Sequence, residues 1–514
     1  MGLTGALMVC GTTSDAGKTT IVAGLCRLLA RRGISVAPFK AQNMALNSVV
    51  TDSGHEIGRA QGFQAFAAGV PPEVAMNPVL LKPTGERTSQ VVINGSPWKV
   101  LTAAEYHAIK LDLLPMVLDA LDDLRSRFDV VICEGAGSPA EINLLDHDIV
   151  NLRIAADSGI PAIIVGDINL GGVFAALYGT VALLPEHLRR CVQGLVINKM
   201  RGDPALLLDG CDQLFERTGV PVVGVVPWLE FTGLDAEDSM ALQRGPSMSA
   251  DAIADELDVA VVCFPRISNF TDLDPLIVEA GVRIRYVHDR AGLGDPDLVV
   301  LPGSKATVDD LGWLRRVGLA DAVASSGATV LGICGGYQMM GESIDDPVEC
   351  RTGVVAGLSI LAVQTTFETA KVTFLREGTA DGHAVRGYQI HHGRVRLCAH
   401  GAVQHVESFV ELNDEHGATV DGIRIGARCG TTLHGLFEAD AFRQAFLEDV
   451  AARRGKRFVS AGVSFDGVRE QALEALADAL EEHLDMTAIE TMIASARPRV
   501  DVARPQAEIA QVTP

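Results

Sequence analysis

The chain has no CxxC pair and no regular spacing among its ten cysteines, which excludes a zinc ribbon or a disulfide framework as an organising element. Most of them, such as Cys10, Cys133 and Cys263, lie inside apolar runs and read as small buried hydrophobes. No basic segment followed by an unbroken apolar stretch opens the chain, so no secretory signal is read there. No run approaches the roughly 18 apolar residues that a membrane span needs. Basic residues are few beside acidic ones, 43 against 65, for a formal charge of −22. That balance disfavours nucleic acid or an anionic membrane as a main partner, although it leaves room for a local basic pocket. These absences point to the cytoplasm. Repeats at solenoid periods are also missing.

What is present is an apolar fraction of 48% with 21% charged residues, the balance of a globular enzyme. A length of 514 residues exceeds one ordinary core and predicts two domains. The first half repeats a short apolar run, a glycine turn and a helical pattern. Its runs are Ala6–Cys10, Ser35–Phe39, Asp129–Cys133, Ala162–Val165, Gly194–Ile197 and Val222–Val226. Such runs, buried on both faces and separated by helices, predict a parallel α/β sheet. The pattern restarts at Asp258–Phe264, Arg283–Val287, Asp297–Leu301 and Thr329–Ile333, and becomes strand-rich near Val363–Phe374. Val468–Leu484 has the apolar spacing of a closing amphipathic helix. The expected division is residues 1–234, a linker at 235–252, a second domain at 253–494 and a disordered tail at 495–514.

After the first run comes Gly11-Thr-Thr-Ser-Asp-Ala-Gly17-Lys18-Thr19-Thr20 and then a helical stretch. A glycine-rich strand-to-helix turn of this kind aims backbone N–H groups and a helix N-terminus at phosphate. Gly11, Thr12, Asp15, Gly17, Lys18, Thr19 and Thr20 are therefore the candidate ATP cradle. Lys18 would reach the β- and γ-phosphates, and the Thr19 hydroxyl would ligate Mg2+. The loop has five residues between its glycines where the usual pattern has four. Glu134, leaving the apolar run Val130–Cys133, is the candidate carboxylate for the metal; an ion pair is its structural alternative. Asn198, at the end of another run, is a candidate reader of the nucleotide base.

The second half holds Gly332-Ile-Cys334-Gly335-Gly336 at the end of a strand, the spacing of a nucleophile elbow. A helix N-terminus aimed at Cys334 favours thiolate. His434 in Thr431-Thr-Leu-His434-Gly is the candidate base, with His391 and His392 as alternatives. Gly303, in Leu301-Pro-Gly303-Ser304-Lys305, and Gly335 are the candidate oxyanion donors. A phosphate loop and a cysteine amidase elbow in one chain suggest that nitrogen transfer is coupled to ATP chemistry.

Other segments carry a resemblance. Lys40-Ala-Gln42-Asn43-Met-Ala-Leu-Asn47-Ser, Gly58-Arg59-Ala-Gln61 and Met76-Asn77-Pro-Val-Leu-Leu-Lys82-Pro are similar to segments of the cobyric acid synthase family. So are Ser138-Pro-Ala-Glu141-Ile-Asn143-Leu, Asp146-His-Asp148-Ile-Val-Asn151 and Gly387-Tyr388-Gln389-Ile-His-His-Gly393. The five-residue loop spacing resembles that of dethiobiotin synthetase-like enzymes. The resemblance implies a dethiobiotin synthetase-like P-loop α/β domain followed by a class I-like glutamine amidotransferase α/β domain. It implies a ligase that amidates the b, d, e and g carboxylates of adenosylcobyrinic acid a,c-diamide with ATP and glutamine. An anionic corrinoid and glutamine are then the small-molecule partners; self-association is left open. The corrinoid would meet some of Lys40, Gln42, Asn43, Arg59, Lys82 and Arg87, and Asp146 or Asp148 would assist the metal or the incoming ammonia, the alternative being solvated loop carboxylates. Two departures stand out: Leu436 occupies the position where class I amidotransferases carry a glutamate, leaving Glu438 to orient His434 or simply face solvent, and Gln389 replaces an expected glutamate. Rival readings are the sister a,c-diamide ligase, and a P-loop regulatory ATPase with a non-catalytic second domain.

Overall fold

The computed structural model describes residues 2–229, 255–398, 405–414 and 417–498. The linker expected at 235–252 and most of the tail expected at 495–514 lie outside these residues. The described residues of 1–44, 57–231 and 470–514 form one compact unit, and those of 45–56 and 232–469 form the other.

The first unit is built on a six-stranded sheet in the order Val222–Pro227, Val192–Met200, Ala162–Asp167, Gly5–Gly11, Val130–Glu134, Val36–Phe39. Every pairing in it is parallel. Each strand coincides with one of the apolar runs, those at Ser35–Phe39 and Asp129–Cys133 beginning one residue before their strands, and Ala6 to Cys10 are almost wholly buried, as two helical layers over a parallel sheet require. A second, four-stranded sheet joins Gln42–Met44, Val79–Pro83, Thr88–Ile93 and Ser96–Thr102. Its hairpins are too short and too mixed in polarity to stand out from the sequence.

The second unit contains a mixed sheet of eleven strands. Val282–Val287, Leu257–Val262, Leu298–Leu301, Thr329–Ile333 and Arg428–Thr431 are parallel neighbours in that order. Antiparallel strands extend it, among them the long hairpin of Val363–Ala380 and His383–Leu397. Both halves are therefore α/β, with the parallel strands ending at the candidate reactive residues.

The structure divides the chain differently from the boundaries read in the sequence. Helix Phe465–His483 forms as its periodicity predicts, but from Glu470 onward it belongs with the first unit. Packing explains this. A Cβ on Gly24 would lie 2.4 Å from Leu480 Cδ1 and 2.9 Å from Leu476 Cγ, so the phosphate-loop helix Lys18–Arg31 accepts the returning helix at a glycine. Arg27 donates to Glu474 at 2.8 Å, and Arg31 and Arg32 reach Glu481 at 2.6 Å. The following helix Met486–Ser495 lies against the strand at Gly5, where any side chain would collide with the Ile493 carbonyl. In the other direction, Ala45–Glu56 is an excursion of the first half that belongs with the second unit.

Leu480 is fully buried, so Leu480→Ala is expected to destabilise the first unit by about 2–5 kcal/mol. Leu206→Ala, at a side chain 80% exposed, should stay within about 0.5 kcal/mol. Urea unfolding of the full chain measures both.

Candidate active sites

The phosphate loop forms because Gly17 takes φ 98°, a conformation open to glycine, and because a Cβ there would strike the Asn198 amide at 2.1 Å. Asn198 Nδ2 donates to the Ala16 carbonyl at 2.8 Å. Its amide thus holds the loop. Lys199 adds a second tie, donating to the Asp15 carbonyl at 2.6 Å and to Asp167 Oδ2 at 2.7 Å. Thr12 N donates to Val165 O at 2.9 Å, anchoring the loop to the neighbouring strand. Lys18 is buried and folds back over the turn, 2.8 Å from the Thr13 and Ser14 carbonyls. Gly11 leaves it room, since a Cβ there would stand 3.1 Å from the lysine stem.

Glu134 is buried at the end of its strand, and its carboxylate is met from three sides. Thr19 Oγ1 donates at 2.8 Å, Lys40 Nζ at 2.9 Å and Gln64 Nε2 at 2.5 Å. Of the two alternatives read for Glu134, the ion pair is present, with Lys40 as its cation, and a hydroxyl–carboxylate pair of hard oxygens lies beside it next to the phosphate loop. Thr19 and Glu134 fit a Mg2+ ion completed by phosphate and water. Among the described residues no cluster of three or more His, Cys, Asp or Glu side chains that would make an all-protein metal cage occurs.

In the second unit, Cys334 leaves strand Thr329–Ile333 with φ 50° and ψ −109°, and helix Gly335–Met339 begins at once. The glycines around it are steric requirements. A Cβ on Gly332 would stand 2.7 Å from Tyr337 N, and one on Gly336 would overlap the Leu301 carbonyl. A Cβ on Gly335 would lie 2.8 Å from Ser304 N, so these two stretches of backbone are neighbours. Gly303 packs instead toward the histidine, 3.2 Å from its Cε1 by the same construction.

His434 is buried beside Cys334 and within hydrogen-bonding reach of it. Its Nδ1 lies 2.7 Å from Asp272 Oδ2, while Asp272 Oδ1 accepts from Gly435 N at 2.9 Å. Tyr388 stacks on its ring with centroids 5.1 Å apart. Burial alone would lower the pKa of this imidazole, but the Asp272 carboxylate and the Cys334 sulfur outweigh it and raise it to about 10. The favoured state of His434 is therefore the imidazolium, held beside the Cys334 sulfur. Burial holds His391 and His392 near 4. Their Nδ1 atoms face the carbonyls of Gly393 and Glu368, at 2.8 and 3.0 Å.

Asp272 is the residue that sequence reasoning missed. The signal was the polar cluster Asn269-Phe-Thr-Asp272-Leu-Asp274 just past a buried strand. Glu438 does not take this role, because Asp272 already occupies His434 Nδ1. Asn269 Nδ2 lies 3.3 Å from His434 Nε2, and its Oδ1 accepts from Ser48 N at 2.9 Å, so the excursion 45–56 reaches the histidine's surroundings. Gln389 donates to Asp421 Oδ1 at 2.8 Å and to Thr432 Oγ1 at 2.7 Å. A glutamate there would face the Asp421 carboxylate, so the neutral amide suits this network.

The remaining candidates are dispersed over the first unit. Lys40 joins the Glu134 cluster. Asn43 is buried and donates to Gln61 at 3.0 Å, while Gln42 accepts from the Tyr106 hydroxyl. Arg59 and Lys82 are buried. Asp146 is exposed on the short turn Leu145–His147. Asp148 is buried, and its oxygens accept from Val150 N at 2.9 Å and Asn151 N at 3.1 Å, a chain-turning arrangement.

Residues 7–238 match the CobQ/CobB/MinD/ParA nucleotide-binding domain family, and residues 258–442 match the CobB/CobQ-like glutamine amidotransferase domain family. The chain thus joins a P-loop nucleotide-binding domain to a glutamine amidotransferase domain. It is 49% identical to the cobyric acid synthase of Frankia casuarinae, over 96% of this chain and 98% of that one. It is 50% identical to that of Saccharopolyspora erythraea, over 96% and 95% of the two chains, and 48% to that of Nocardia farcinica, over 96% and 98%. The chain belongs to the cobyric acid synthase family.

The Asp272 carboxylate holds the His434 proton, so Asp272→Asn should lower glutamine hydrolysis by about 10²–10⁴-fold. Because the folded pKa is raised, the imidazolium is fully present below its ordinary 6.5 and is lost as pH rises through about 10. The alkaline limb of the rate profile is therefore expected near that value, and Asp272→Asn should move it to lower pH. Steady-state glutaminase assays across pH measure both effects.

Proposed function

We propose that this protein is a glutamine-dependent, ATP-driven ligase that converts the b, d, e and g carboxylates of adenosylcobyrinic acid a,c-diamide to amides. The observation that carries the reading is near-half identity to cobyric acid synthases along almost the whole of both chains. The three aligned groups Cys334, His434 and Asp272 support it, since a merely binding amidotransferase-like domain has no need of an imidazolium held against a thiol.

A carboxylate resists ammonia because its leaving group would be oxide. Transfer of the ATP γ-phosphoryl group to it forms an acyl phosphate, and ammonia then displaces phosphate to give the amide. Lys18 offsets charge on the transferring group, and the backbone N–H groups of the loop hold the others in line. Thr19 and Glu134 would hold Mg2+, which when bound supplies further neutralisation of phosphate charge. Lys40 keeps Glu134 compensated. Asp146, exposed on its turn, would be the one to assist the metal or the incoming ammonia, since the oxygens of Asp148 are engaged by backbone.

Cys334 thiolate attacks the side-chain amide carbon of glutamine, and His434 delivers the proton that lets ammonia leave. Water then hydrolyses the thioester to glutamate with His434 as base. The tetrahedral oxyanion meets the N–H of Gly335 and, by its proximity, that of Ser304 in preference to Gly303. Ammonia must stay unprotonated until it meets the acyl phosphate, which calls for a sheltered route.

Mass spectrometry of the a,c-diamide corrinoid incubated with ATP, Mg2+ and glutamine should show successive exchanges of hydroxyl for amide. Cys334→Ala should abolish this with glutamine and retain it with ammonium salts. Lys18→Ala should reduce it with either nitrogen source by about 10²-fold or more. An unmodified corrinoid with wild-type protein would rule the reading out.

A further inference from the structure

The four-stranded sheet of the first unit carries a feature that the phosphate chemistry does not use. One of its faces, together with helix Ala103–Ile109, lines a cleft of about 430 Å3. Alternate positions supply an apolar floor: Met44, Leu81, Pro83, Val91 and Leu101. Lys82, between two of these, is buried and does not line it. Met44 is 55% exposed, so apolar surface faces the opening, where a ligand would cover it. Arg87 and Lys110 bring basic groups to the walls against one carboxylate, Glu86, with the imidazole of His107 beside them as a neutral polar group. In a chain of net charge −22, a basic apolar cleft is a selective place for an acid with a flat hydrophobic body.

Chain connections tie this cleft to the phosphate site. Gln42, on its lining, follows by two residues the Lys40 that meets Glu134, a strand distance of about 7 Å. Leu144, also on the lining, leads directly into the turn that holds Asp146. The His107 ring packs on His147 of that turn with centroids 4.0 Å apart. Short stretches of chain thereby link the cleft lining to Lys40, the partner of Glu134, and to Asp146.

We propose that this cleft seats one edge of the corrinoid macrocycle, with its apolar faces on Met44, Pro83 and Leu101 and its peripheral carboxylates against Arg87 and Lys110. The cleft lies within the size range of small-molecule sites and is shallow for a whole tetrapyrrole, so it grips an edge. The proposal rests on the amidation reading and gives that reaction its binding surface.

The test is a visible-absorbance titration of cobyrinic acid a,c-diamide into full-length protein, paired with the amidation assay. Arg87→Glu, at an exposed position, and Leu101→Trp, which fills the floor, should each weaken corrinoid binding about tenfold or more with melting temperature retained. Lys99→Glu makes the same charge change outside the cleft and should bind as wild type. If Arg87→Glu and Leu101→Trp bind like wild type while wild type amidates the corrinoid, the cleft is overturned and the ligase reading stands. If wild type neither binds nor amidates it, the ligase reading fails and the cleft assignment with it.

Discussion

Both reactive centres exist because a parallel strand buried on two faces can place a polar group only where it ends. Inside the sheet, an unpaired carboxylate or an ionised sulfur would be stripped of water with nothing in exchange. At the strand end, the chain turns into a helix whose first N–H groups have no internal partner. Lys18 and Cys334 each stand at the beginning of such a helix, and Glu134 ends the strand beside the first. Glycine is needed at both turns for different reasons: Gly17 because of its backbone conformation, Gly332 and Gly336 because other backbone atoms occupy the space of a side chain.

Burial then sorts residues of one type into different roles. Three histidines lie close in the second unit, and all lose hydration. Only His434 has a carboxylate at Nδ1, and only it is raised in pKa, while His391 and His392 face carbonyls and stay neutral. A buried carboxylate behaves likewise. Glu134 offers its oxygens to a hydroxyl, an ammonium and an amide, whereas Asp148 gives its own to backbone N–H groups and shapes a turn.

The chain also crosses its own halves twice. Residues 45–56 leave the first unit and bring Ser48 N to Asn269, which adjoins His434. Within the second unit Glu56 pairs with Lys371 at 2.5 Å, a buried ion pair that fixes the excursion at its far end. A charge so deeply enclosed is strongly destabilising once its partner is removed, which makes the register of this segment specific. At the other end, the helices after Glu470 return to the first unit through Leu476, Leu480 and a row of arginine–carboxylate pairs.

The sequence by itself determined the parallel strands, the phosphate loop, the cysteine elbow and His434, because these depend on local hydrophobic runs and on glycine spacing that leave a readable trace. The resemblance of ordered segments carried the family. What only the tertiary structure decided was partnership across distance: Asp272 on His434, Lys40 and Gln64 on Glu134, Ser304 beside Gly335, and the assignment of the last helices to the first unit. Nothing in a residue's neighbours along the chain encodes these pairings. They arise when separate strand ends are brought to one edge of a sheet and each buried charge must find the donor that compensates it.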